Sequence, residues 1–168
     1  MKKVFLVLLT CLVAMSMQAQ SLNGTWITTM EEEGQNMDFY FIFTQSTLTM
    51  KGVVNMSDPE VGDITVSVTV PCTYTRKGNK LNVKTSPQTA KLNIDKMKFT
   101  SEIEKAVKDN PDLKKMIEDQ MKKAMEESKG EIVDGFPNDG ELDIVTLTDT
   151  KLALRDETGE TINFTRVK

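Results

Sequence analysis

The chain reads as an all-β protein, an antiparallel meander closing into a small barrel of about eight strands, with an amphipathic helix inserted near residues 100–130. Three observations predict this. Over residues 64–75, Ile64, Val66, Val68, Val70, Cys72 and Tyr74 share one face, while Thr65, Ser67, Thr69, Thr73 and Thr75 share the other. That period of two demands a sheet with one dry and one wet side. Short alternating runs bounded by turn residues recur on either side of it. Between them, residues 101–130 switch to a helical period.

Residues 1–19 form a secretory leader: Lys2 and Lys3 give the charged start, residues 4–15 the apolar run, and Ser16-Met17-Gln18-Ala19 the polar end with a small residue for cleavage. The apolar run is too short for a comfortable transmembrane helix. Cys11 is preceded by Leu8-Leu9-Thr10, where a lipoprotein signal prefers a smaller residue before its cysteine, so Cys11 reads as part of the apolar run. Export to the periplasm or the extracellular space is therefore expected, with residues 20–168 as one domain.

That domain opens with a strand over residues 24–30, then a polar turn over 31–36 and an aromatic strand over 38–44. Phe39, Phe41 and Phe43 share one face of this strand and Tyr40 and Ile42 the other, so both faces need cover, and the helix is one candidate for it. Residues 47–56 alternate with Leu48, Met50, Val54 and Met56 on one side. Ser57-Asp58-Pro59-Glu60 is a turn. In the strand over 64–75, Pro71 lies on the wet face and marks a bulge or bend. Residues 76–80 are expected as a hairpin turn, Leu81 and Val83 continue as a strand, Ser86-Pro87-Gln88 breaks it, and residues 91–97 resume it. Ser101 and Glu104 have capping-box spacing. Asn110-Pro111 restarts the helix, because Asn caps and Pro is tolerated in the first turn. Leu113, Met116, Ile117, Met121, Ala124 and Met125 form an apolar stripe, and Gly130 supplies a stop. Residues 131–140 are expected as a loop, and three strands over 141–148, 151–155 and 161–167 finish the chain.

Composition narrows the chemistry. The 21 basic residues less Lys2 and Lys3 leave 19 against 25 acidic ones, a net charge of −6 after cleavage. No basic cluster stands out, so nucleic acid and an anionic membrane surface are poor partners, and no stable membrane insertion is expected. Cys72 alone survives processing, so no intrachain disulfide forms and the fold rests on its core; alternating with valines and Tyr74, Cys72 reads as a buried, inert thiol. The chain has no histidine, which removes the usual general base and the commonest metal ligand. Asp134-Gly135 and Asn138-Asp139-Gly140 match no calcium loop, and no spacing singles out a catalytic carboxylate pair. No metal, no cofactor and no catalytic residue is assigned.

Gly24-Thr25-Trp26 at the start of the first strand, the meander, and Phe164-Thr165-Arg166 at its end resemble a bacterial lipocalin-like domain of the calycin type. The likeness covers most of residues 20–168 as a pattern, and only the opening tripeptide and the closing arginine match position by position. It implies that Trp26 plugs the closed end of the barrel with Arg166 packed across its indole, a favourable cation–aromatic pair. The helix is a departure, since such domains carry their main helix after the eighth strand.

The resulting expectation is an exported, non-catalytic protein that binds a small hydrophobic or amphipathic molecule by burying its apolar surface. Phe41, Met50, Val66, Val68 and Tyr74 are the expected cavity lining, joined by Met116 and Met121 from the helix. The competing reading is a filled barrel acting as an interaction or structural module, its helix near 100–130 binding a protein partner.

Overall fold

The computed structural model describes residues 20–32, 35–134, 136 and 139–168, so the leader expected over residues 1–19 lies outside the described residues. Among the described residues are nine strands: β1 (Gly24–Glu32), β2 (Gln35–Phe43), β3 (Thr47–Asp58), β4 (Gly62–Lys77), β5 (Lys80–Thr85), β6 (Lys91–Phe99), β7 (Gly140–Leu147), β8 (Lys151–Arg155) and β9 (Thr161–Arg166). Between β6 and β7 lie three helices, α1 (Ser101–Asp109), α2 (Pro111–Glu127) and the short α3 (Lys129–Asp134).

All pairings are antiparallel. Eight strands close on themselves in the order β1-β2-β3-β4-β5-β7-β8-β9, with β9 returning to β1. This is the closed meander barrel that the alternating pattern predicts. The ninth strand, β6, arises because β4 is 16 residues long and has two partners on one edge. Cys72 to Lys77 pair with β5, and Gly62 to Thr69 pair with β6. A single 3₁₀ turn at Pro87–Thr89 separates the two return strands, with Pro in its first turn. Proline cannot donate to a ladder, so the break falls where the sequence places it.

Because successive strands reverse, the β1–β2, β3–β4 and β8–β9 connections gather at one end of the barrel. The β2–β3, β4–β5 and β7–β8 connections gather at the other. The core runs between them as one cluster, with Leu48, Met50, Val70, Leu81, Ile144, Leu152 and Phe164 all buried. Cys72 is buried too, and desolvation pushes its thiol up to about 11. At that value the reactive thiolate is scarce at neutral pH.

Several local expectations are corrected. The β4–β5 connection is a two-residue hairpin at Gly78-Asn79, and Lys77 pairs with Lys80, so both strands run further than the charged residues suggest. Ser101 is not the cap of α1: Thr100 holds that place without a side-chain cap bond, and its hydroxyl donates to the Glu60 carbonyl at 3.2 Å. Asn110 does cap α2, accepting from the Asp112 N–H at 3.2 Å. Gly130 does not end the helical region, because α3 passes through it into the stretch expected as loop. That short helix carries Ile132 and Val133 onto the barrel. Ser67, on the nominally wet face of β4, is buried, because Asp95 lies over it, accepting from the Ser67 hydroxyl at 3.0 Å and pairing with Lys51 at 3.4 Å. The helices rest on β6 and β4, and neither α1 nor α2 has a fully buried residue. No helix among the described residues is long and apolar enough to cross a membrane.

Candidate binding cavity

The two ends of the barrel are built differently, and the difference places the cavity. At one end Trp26 is completely buried, and its indole N–H donates to the Leu22 carbonyl at 2.8 Å. The Arg166 guanidinium carbon lies 4.1 Å from the indole centroid. Its two terminal nitrogens donate to the carbonyls of Asn23 at 2.6 Å and Ser21 at 3.1 Å. The segment before β1 is thereby laced across this end, with Arg76 adding a 2.9 Å bond to the Gln20 carbonyl. Gly24 is required twice over: its φ is +128°, and a Cβ would sit 2.6 Å from an Arg166 nitrogen. The tripeptide and the arginine thus form one closing device.

At the other end the wall parts. The β1–β9 ladder holds Trp26 opposite Arg166 and Ile27 opposite Thr165, and then stops. β1 runs on to Glu32 beside β2, while β9 begins at Thr161 beside β8. The register would have matched Thr28 with Phe164 and Met30 with Ile162, and these four side chains instead flank a cavity of about 340 Å³. Phe39, Phe41, Phe136, Leu142 and Leu154 complete its apolar lining, and Asp156 and Glu160 stand at its edge. The size lies at the lower end of the usual range for small-molecule sites. Ring packing sets its floor, with the Phe41 and Phe164 centroids 4.7 Å apart.

Phe136 divides this space from a second one of about 410 Å³ beneath the end of α2. That neighbour is lined by Met37, Val54, Met56, Val66, Val68, Leu92, Met125 and Ile132. Phe136 itself is buried, in edge contact with Phe39 at 5.7 Å. A Cβ on Gly52 would come within 3.0 Å of its ring, so the bare backbone of β3 provides the seat.

The residues expected to line a cavity are distributed unevenly. Phe41 borders the first space, and Val66 and Val68 border the second. Met50 is buried in the solid core between them and the closed end. Tyr74 faces inward but near the closed end, its hydroxyl donating to the Thr44 carbonyl at 2.7 Å and its ring against Phe43 at 5.2 Å. Met116 is 52% exposed on the outer side of α2, and Met121 is half-buried along the helix. The methionine that reaches the cavity from the helix is Met125. Phe136 escaped sequence reading because it lies in a stretch read as loop. Ile132, Val133 and Phe136 do keep helical spacing past Gly130, which is the signal that could have found it.

The cavity edge is electrostatically one-sided. Asp156 accepts from the Thr158 hydroxyl at 2.7 Å and from the Thr158 and Glu160 amides at 2.9 Å each. These bonds, the hydroxyl foremost, hold its carboxyl below the ordinary value. Asp139 is likewise lowered by the Thr85 amide and hydroxyl, at 2.6 and 3.0 Å, which fasten the start of β7 to β5. No family model matches the chain, and no curated protein matches it in sequence.

Proposed function

We propose that this is an exported, lipocalin-like binding protein that takes a small hydrophobic or amphipathic molecule into the parted end of its barrel, without catalysis. The observation that carries the reading is the apolar cavity flanked by Thr28, Met30, Ile162 and Phe164, where β1 and β9 cease to pair. A ligand there exchanges water for aromatic and aliphatic surface at about 25 cal/mol per Å² of apolar area buried. The separated strands provide the way in, and Trp26 and Arg166 hold the far end shut. The leader-like residues 1–19 support export, and a chain without histidine suits binding more than acid–base chemistry.

Titration with the neutral dye N-phenyl-1-naphthylamine tests the proposal. Saturable one-to-one binding is expected, weakened at least tenfold by Ile162→Trp, which fills the cavity from the β9 side. Binding unaffected by that substitution, or none in a cooperatively folded protein, refutes it.

A second reading has its own observation. The exposed Met116 and the absence of any fully buried residue on α1 and α2 leave apolar surface for a protein partner. Failure of the dye titration would favour it.

A further inference from the structure

The cavity edge specifies the ligand further. Resting on the reading of this space as a ligand site, we propose that its occupant is an amphipathic cation, an alkyl or aromatic body carrying an ammonium group that lies between Asp156 and Glu160. Charge complementarity argues for it. Among the described residues, the only ionisable ones bordering the cavity are these two carboxylates, and no lysine or arginine accompanies them. The nearest arginine in sequence, Arg155, pairs with Asp143 at 3.2 Å on the barrel's outer surface. Arg166 is held at the opposite end by its two carbonyls and the indole.

Both carboxylates belong to the β8–β9 turn, at the parting of the wall where a ligand's polar end would emerge. Asp156 is fixed there by three hydrogen bonds to its own turn, so its charge is positioned before a ligand arrives. Behind it stand the rings of Phe39, Phe41 and Phe164, whose faces attract cations and whose bulk accepts a hydrocarbon body. A fatty-acid anion would bring its carboxylate against two negative charges, and the negative net charge, −4 for the full chain and more negative without Lys2 and Lys3, adds to the repulsion.

The test uses three probes with one eight-carbon chain: octylammonium, 1-octanol and octanoate, titrated calorimetrically at pH 7. Octylammonium should bind about tenfold more tightly than octanoate, with octanol between them, as two solvent-accessible carboxylates permit. The double substitution of Asp156→Asn with Glu160→Gln keeps the acceptor oxygens of the turn and should bring the three affinities within about twofold. Raising the salt to about 0.5 M should compress the order in the same direction. Octanol binding with octanoate equal to or tighter than octylammonium overturns the charge assignment and leaves the cavity reading standing. No binding of any probe to the folded protein overturns both. A preference for octylammonium that survives the double substitution overturns the assignment to these residues.

Discussion

The closed end of the barrel and its parted end use the same strands for opposite purposes. At the closed end the strong groups interlock: indole to carbonyl, the two terminal guanidinium nitrogens to two carbonyls, the guanidinium to a ring, glycine to the space the guanidinium needs. At the parted end two strands stop pairing, Met30 is 37% exposed, and one aromatic side chain sits between two spaces. One end concentrates stability and the other gives it up for access. The lesson is that a barrel can carry a soft site without a soft fold, provided the remaining ladders are complete.

The comparison predicts a ranking of substitutions. Trp26→Ala should be the most damaging, removing a fully buried ring and leaving Arg166 without its aromatic partner. A loss of about 3–5 kcal/mol is expected in urea denaturation. A loss below about 1 kcal/mol would show that the closed end is not where stability lies. Phe136→Ala should cost less, about 2 kcal/mol, because the vacated space joins two existing cavities and does not open a sealed one. It should also tighten binding of longer-chain ligands relative to octanol, measured by the same calorimetry. Unchanged chain-length preference would mean that Phe136 does not partition the space.

Acid should loosen the parted side next. Asp139 and Asp156 have carboxyls held below their ordinary values in the folded protein. Such groups contribute stability that is present above the unfolded value, near pH 4, and is lost as pH falls through the lower folded value. Thermal unfolding should therefore be flat from pH 7 to about 5 and decline below pH 4. Asp139→Asn should blunt the decline, and an identical acid profile in that variant would remove Asp139 from the account. The smallest effect belongs to Met116→Gln. Its side chain is mostly exposed, so stability should change by less than about 0.5 kcal/mol and probe affinity not at all.

The strands and the helical interruption were legible because burial imposes a period on the chain. Ile64 to Tyr74 announced both a strand and its inner face, and Asn110-Pro111 announced a helix start. The site was less legible, for a geometric reason. A period of two separates inside from outside but carries no information about height along the barrel. Phe41 and Tyr74 both face inward, yet one borders the cavity and the other braces the closed end. Height depends on register between strands distant in sequence, such as Trp26 against Arg166. The parting of β1 from β9 is a property of that pairing and has no signature in either strand alone. On the helix, the stripe was visible but its depth was not, so Met116 was grouped with Met125 although only the latter reaches the barrel.

Methionine methyl resonances offer the most direct test, because these side chains sample both cavities, the core and the helix. Met30 borders the first cavity, Met125 the second, Met50 the packed core and Met116 the outer face of α2. With methyl-¹³C methionine incorporated and octylammonium added to saturation, Met30 should shift strongly, Met125 less, and Met50 and Met116 hardly at all. A saturable shift at Met116 with Met30 unmoved would place binding on the helix and contradict the account of the parted barrel end.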